Sequence, residues 1–240
     1  MEKVTTLIFA GGVGRRMNSR SRPKQFLEVY GKPVIIHTLE HFEYHPQVDE
    51  IVIVCVKAWI KELKGMLWRF NITKVSTIVP GGETGHDSIY NGLEAMKSST
   101  AAQDIVLIHD GVRPLISEDL IQKNIDAVRQ FGNAITCERA RESVVISPDG
   151  KNITDVPLRD HMYTAKAPQS FRYGDILRIY EQAQKDRQKS IDSAHLCHIY
   201  HQPMHLLMGP RNNLKITDPV DYYIYRALYE AMESQQIYGL

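Results

Sequence analysis

The residues best placed to do chemistry come early. Ala10-Gly11-Gly12-Val13-Gly14-Arg15-Arg16-Met17 follows a short apolar run, and Arg20, Arg22 and Lys24 carry the basic character on to Pro23-Lys24-Gln25. Glycines let a backbone turn tightly and approach a ligand closely. Their N–H groups, joined to a helix start, make a cradle for phosphate. The spacing is not that of a dinucleotide fingerprint, because no third glycine falls at the required offset. It is not a P-loop either, because no Gly-Lys-Ser/Thr follows. Taken alone, the glycines suit a plain structural turn and the basic run suits a solvated surface. Their adjacency favours an anionic ligand, with Arg15 and Lys24 as candidates for neutralising charge while a nucleotide α-phosphate is attacked.

Asp110 is the next candidate. It stands in His109-Asp110-Gly111-Val112-Arg113-Pro114, just past a strand-like run. A carboxylate there can hold Mg²⁺ between a triphosphate and an incoming substrate, or serve as a turn or cap residue. Arg113 can bind phosphate or pair with a carboxylate. Two histidine groups, His37/His41/His45 and His195/His198/His201/His205, carry no HExxH motif and read as helix-surface or core residues. Cys55, Cys137 and Cys197 are far apart, form no CxxC pair, and read as buried free thiols.

The elements that must position these groups follow from hydrophobic periodicity. Val4–Phe9, Ile51–Cys55, Val75–Val79 and Ile105–His109 are short, β-branched and nearly continuous in hydrophobicity, as in strands covered on both faces. Helical spacing appears over Val34–Phe42, Ala58–Phe70 and Asp87–Lys97. The alternation predicts a Rossmann-like α/β fold with a mostly parallel sheet and helices on both faces. In such sheets ligands bind beyond the carboxyl ends of the strands. After about Asn133, the runs Ala134–Glu138, Ser143–Ser147 and Ile153–Val156, with the turn Pro148-Asp149-Gly150, predict an inserted β-arm. Helices are expected again at Tyr173–Lys185 and Asp192–Tyr200. A strand is expected at Met204–Met208, and a last helix from Asp218-Pro219. The tyrosines of that helix, Tyr222, Tyr223, Tyr225 and Tyr229, suit packing or a dimer surface. One domain over residues 1–240, with the arm at about 134–165, is the expected organisation.

Composition agrees with a folded chain of this kind. Of 240 residues, 43% are hydrophobic and 24% charged, enough for a large core. A formal net charge of +1 supplies no global field for nucleic acid or an anionic membrane. With no long apolar stretch, the chain is read as cytoplasmic, without membrane association.

The loop residues also carry a resemblance. Ala10-Gly11-Gly12-x-Gly14-x-Arg16-Met17, Pro23-Lys24-Gln25-Phe26, Gly31-Lys32-Pro33-Val34, Gly81-Gly82, Asp87-Ser88-Ile89, the Asp110 motif, Pro168-Gln169-Ser170-Phe171 and Asn213-Leu214-Lys215-Ile216-Thr217 occur in order along nearly the whole chain. This series resembles the sugar-phosphate nucleotidyltransferases, in particular the branch of methylerythritol-phosphate and ribitol-5-phosphate cytidylyltransferases. The resemblance implies CTP, a polyol phosphate and Mg²⁺. It places Ala10, Gly11, Gly12, Gly14, Arg15, Lys24, Gly81, Gly82 and Ser88 at CTP, the last three near the base. It makes Arg15, Lys24 and Lys215 catalytic and Asp110 the metal ligand. It assigns Asp110, Arg113, Ser143, Arg159 and Lys215 to the acceptor. Read without the resemblance, Lys215 is a surface lysine, and Arg159 with Asp160 a local ion pair.

The stretch Thr154-Asp155-Val156-Pro157-Leu158-Arg159-Asp160-His161-Met162-Tyr163 resembles the ribitol branch, and D-ribitol 5-phosphate is the expected acceptor. The alternatives are 2-C-methyl-D-erythritol 4-phosphate, or a nucleotide-binding protein of this fold with impaired catalysis; a dinucleotide-dependent oxidoreductase is a more distant rival. The resemblance further implies a homodimer in which the 134–165 arm brings Arg159 and Ser143 to the partner's acceptor. Three positions depart from the family pattern: Gly85, where arginine is common and His86 is the candidate replacement; Asn212, where an acidic residue is common; and Ile191-Asp192-Ser193-Ala194.

Overall fold

The computed structural model describes residues 2–11 and 22–238, with side chains described as far as Ser234. In chain order, β1 (Val4–Ala10) is followed by a small hairpin, β2 (Glu28–Val29) and β3 (Lys32–Pro33). Then come α1 (Val34–Glu43), β4 (Glu50–Cys55), α2 (Ile60–Arg69), β5 (Val75–Pro80), α3 (Gly85–Ala95), β6 (Ile105–Asp110) and α4 (Glu118–Phe131). The second half adds β7 (Asn133–Arg139), β8 (Tyr163–Arg172), α5 (Tyr173–Asp186), α6 (Ser193–Ile199), β9 (Leu206–Met208) and α7 (Pro219–Tyr238). Seven strands form one sheet in the order β5-β4-β1-β6-β8-β7-β9. β8 runs antiparallel to β6 and β7, and the other pairs are parallel.

Strand geometry sends alternate side chains to opposite faces. Ile51, Ile53 and Cys55 join α1, α2 and α4 in one layer, while Val52 and Val54 join α3, α5 and α6 in the other. Each such aliphatic side chain contributes about 1.5–3 kcal/mol by leaving water. This double covering is why the central strands read as unbroken apolar runs. β5 departs from that expectation. It is an edge strand, and its residues are only partly buried.

Besides the small β2–β3 hairpin, α4 and β8 lie outside the elements expected from periodicity. α4 is capped by Ser117, whose hydroxyl accepts from Leu120 N, and it ends on Gly132 at φ 85°. β8 carries Pro168, which has no N–H for a ladder. Its register against β7 shifts near that point, between Ile135 and Cys137. The expected strands at 143–147 and 153–156 reduce to one bridge, Ile146 to Asp155. Val145, Ile153, Val156 and Leu158 remain exposed there. So short a ladder has no hydrophobic face to pack, so it does not extend within one chain. The arm turn itself holds: Asp149 accepts from Lys151 N and Asn152 N at 2.9 and 2.8 Å.

α7 closes the fold over the strand ends. Tyr225 is fully buried against Val29, Val34, Val112, Leu115 and Ile216, with Tyr229 packed beside it. Among the described residues, no helix is long and apolar enough to cross a membrane.

Candidate active site

Parallel strands deliver their carboxyl ends to one edge of the sheet. β1 delivers Ala10 and Gly11 there, β5 leads to Gly81 and Gly82, and β6 ends on Asp110. A cleft of about 520 Å³ opens at this edge, walled by Ala10, Gly11, Lys24, Gly82, Ser88, Asp110 and Lys215 among others. Gly12, Gly14 and Arg15 lie outside the described residues.

The glycines are required by close approach. A Cβ on Gly81 would stand 3.2 Å from both Gly11 Cα and Ser88 Oγ. One on Gly82 would overlap the Asp87 side chain. Ser88 organises this wall: its hydroxyl donates to Thr84 O at 2.9 Å and accepts from Gly82 N at 3.1 Å. Thr84 and Asp87 form a capping box at the start of α3, a local device that satisfies free helix N–H groups.

Lys24 begins a short 3-10 turn anchored by buried Phe26, which stacks on Trp59 at 4.8 Å. The neighbouring Gln25 amide donates to Ala10 O at 2.7 Å and ties this turn to β1. Lys24 Nζ donates to Ile216 O at 2.8 Å. Thus Lys24 and Lys215, 191 residues apart in the chain, are fastened to one loop.

Asp110 is the electrostatic centre. Its Oδ1 lies 2.5 Å from Lys215 Nζ and its Oδ2 2.7 Å from Arg113 Nε. Burial alone would raise the carboxyl, but the Arg113 and Lys215 cations overcome it and hold it well below the ordinary carboxylate range. Arg113 resolves its two sequence readings by pairing with this carboxylate, and Nη1 also donates to Asn213 O at 2.9 Å. Asn213 is buried and donates through Nδ2 to Ala167 O at 2.6 Å. It is a positioning residue missed as such in the sequence, where only its place in a motif signalled it. Asn212, by contrast, is exposed.

His86 does not replace an arginine at position 85. It is 1% exposed, lies near the Tyr180 ring at 4.9 Å, and engages Ser190 Oγ through Nδ1 at 3.0 Å. Burial holds its basicity below the usual imidazole value. Gly85 instead leaves open space, since a Cβ there meets nothing within 4 Å. His37 and His41 bond the carbonyls of Val29 and Pro114 through Nε2 at 3.1 and 3.0 Å. The three cysteines are buried and free.

Ser143 and Arg159 are not brought to this cleft within the chain. They border a separate recess on the arm with Leu158, Asp160 and His161. Arg159 Nη1 reaches Arg141 O at 3.5 Å, and among the described residues it makes no ion pair with Asp160.

No group of three or more His, Cys, Asp or Glu side chains among the described residues is placed to hold a metal ion. Mg²⁺ needs no such cage, because it keeps waters and uses one or two carboxylates with substrate phosphates. Asp110, a buried ionised carboxylate in the cleft wall, fits a cation carried in on a triphosphate.

Comparison with known proteins converges on one group. Residues 4–230 match the family model described as IspD: 2-C-methyl-D-erythritol 4-phosphate cytidylyltransferase. A ribitol-5-phosphate cytidylyltransferase of Streptococcus agalactiae serotype Ia is 48% identical over 235 residues, 98% of each chain. A 2-C-methyl-D-erythritol 4-phosphate cytidylyltransferase of Clostridium botulinum is 36% identical over 232 residues, 97% of this chain and 100% of the other. Among solved structures, 4-diphosphocytidyl-2C-methyl-D-erythritol synthase from Anaerococcus prevotii superposes with a TM-score of 0.82 at 28% identity, covering 95% of this chain and 96% of its own.

Proposed function

The chain belongs to the IspD family of cytidylyltransferases, and from that premise we propose that it transfers CMP from CTP to D-ribitol 5-phosphate, giving CDP-ribitol and pyrophosphate. The observation that carries the acceptor is the contrast in identity, 48% to a ribitol-5-phosphate enzyme against 36% to a methylerythritol-phosphate enzyme, each over almost the full chain.

A phosphate oxygen of the acceptor attacks the α-phosphorus of CTP. The new P–O bond forms as the bond to the β-phosphate oxygen breaks, and pyrophosphate leaves with the electron pair. The attacking oxygen is already anionic, so no general base is needed. What the protein must supply is position and positive charge. Lys24 and Lys215 both line the cleft and neutralise the phosphoryl oxygens, together with Arg15. Ala10 and Gly11 present backbone at the triphosphate, where the resemblance also assigns Gly12 and Gly14. Gly81, Gly82 and Ser88 form the wall for the cytosine. Asp110 would hold a Mg²⁺ ion brought in with the triphosphate, and that ion would supply further charge neutralisation. Arg113 holds Asp110 in place.

Ser143 and Arg159 act in trans in this reading. A homodimer forms through the arm, whose exposed Val145, Ile153 and Leu158 find cover on the partner, and Arg159 with Ser143 reaches the partner's acceptor phosphate. The product feeds polyol-phosphate polymers such as teichoic acid or capsule.

Pyrophosphate release with CTP and Mg²⁺, measured separately with D-ribitol 5-phosphate and 2-C-methyl-D-erythritol 4-phosphate, tests the reading. Higher kcat/KM with ribitol phosphate is expected. Turnover confined to the erythritol substrate reverses the acceptor. CTP binding without release from either leaves a binding protein of the same fold.

A further inference from the structure

A second recess adjoins the nucleotide cleft. It has a volume of about 210 Å³ and shares Phe9, Gly85, Asp110 and Lys215 with its neighbour. Its own end is made by Lys166 and Gln169 of β8 and by Asp192 before α6. In the reaction proposed above, the reacting phosphate lies at the boundary between the two spaces, beside Asp110 and Lys215. The remainder of an acceptor then extends toward Lys166 and Asp192.

The chemistry of that end suits a chain of hydroxyls. A hydroxyl both donates and accepts, an ammonium offers three donors, and an ionised carboxylate offers only acceptors. Asp192 is held rigidly: Oδ1 accepts from His195 N at 2.8 Å and Oδ2 from Gln169 Nε2 at 3.1 Å. Lys166 is held as well. Its Nζ lies 2.5 Å from Glu138 Oε2 and 3.4 Å from Arg211 O, with the side chain 14% exposed. Arg141 approaches the same Glu138 at 3.5 Å, so Glu138 is shared between two cations. Among the charged residues that line the recess, Arg113, Lys166 and Lys215 stand against Asp110 and Asp192. Arg113 and Lys215 are both engaged with Asp110. Lys166 is therefore the cation of this recess not committed to the catalytic carboxylate.

We infer that Lys166 is a specificity determinant for the acceptor, donating to a hydroxyl oxygen far from the reacting phosphate and so selecting a long polyol phosphate over a short one. This rests on the transferase reading above. Lys166 takes no part in the displacement at phosphorus, so its loss acts on acceptor KM and leaves CTP KM alone.

The test uses the full chain with CTP and Mg²⁺, and two acceptors, D-ribitol 5-phosphate and the shorter sn-glycerol 3-phosphate. Lys166→Met is expected to raise the ribitol phosphate KM by about 10- to 100-fold, the range for losing one charge-assisted hydrogen bond. Weak turnover of glycerol phosphate stays near its wild-type value, so the preference between acceptors collapses. Lys166→Arg restores most of that preference. An unchanged preference in Lys166→Met overturns the inference while leaving the transferase reading intact. So does an equal loss with both acceptors, or a lowered melting temperature that Lys166→Arg does not repair, since each marks a merely structural lysine. Wild-type protein that turns over neither acceptor overturns the transferase reading and this inference together.

Discussion

The central cleft and the 140–162 arm are built on opposite terms. In the cleft, Asp110 is 4% exposed and both of its oxygens meet cations, Lys24 is fastened to the loop of Lys215, and Ser88 holds the Gly82 backbone. In the arm, Leu158 is 70% exposed, one bridge joins the two limbs, and among the described residues the Arg159 side chain donates to one carbonyl, at 3.5 Å. Buried charges persist only when paired, so the cleft must be finished inside one chain. The arm carries apolar side chains with nothing beneath them, and such surface is a mark of an interaction site. The contrast separates a cleft that the fold of one chain completes from an arm that, in the proposed reading, is completed by a partner.

The strongest way to break that contrast is at the cleft. Lys24→Ala is expected to cut kcat by about 10²- to 10³-fold, the scale of losing one donor to developing negative charge, with the melting temperature almost unchanged. Near-normal turnover would remove Lys24 from the chemistry. Asp110→Asn is expected to lose activity and also to lower stability by about 3–5 kcal/mol in urea unfolding, because Arg113 is left buried against an uncharged amide. If the fold kept its full stability, the ion-paired centre would not be structural.

Complementation sharpens the arm's side. Lys24→Ala and Arg159→Ala are each inactive in this reading. Co-refolded at equal amounts, they should regain about a quarter of wild-type activity, because half the dimers are mixed and each has one intact site. No regain would place Arg159 in the cleft of its own chain or outside the reaction.

A smaller effect is expected from pH. Burial pushes His109 down to about 3. The unfolded chain therefore takes up a proton near 6.5 that the folded chain refuses until about 3. The stability held above 6.5 is lost progressively as pH falls through that window. His109→Gln should flatten this part of a melting-temperature profile; an unchanged slope would show that His109 does not set it. The smallest effect is assigned to the arm surface. Ile153→Ser with Leu158→Ser should change the stability of the isolated chain by less than about 1 kcal/mol, yet lower the dimer fraction in sedimentation.

Much of this was legible in the residues. β1, β4 and β6 announce themselves because both faces are covered, so their hydrophobicity is continuous. α4 carries local signals of its own, a Ser117 cap at its start and Gly132 at its end, although periodicity does not predict it. β8 was not legible, since Pro168 argues against a central strand. The strand survives by a shift in register, and Ala167 O takes its hydrogen bond from Asn213.

The site divides in the same way. Residue types and spacing single out Gly11, Lys24 and Asp110, the resemblance adds Gly82, Ser88 and Lys215, and the fold brings all six to one cleft. Pairing was decided only by the tertiary structure. That Lys215 meets Asp110, that His86 turns inward to Ser190 and Tyr180, and that Lys166 lines the second recess depend on groups tens of residues apart. Hydrogen bonds and ion pairs fall off within a few ångströms, and sequence distance carries no measure of that separation until the sheet has closed.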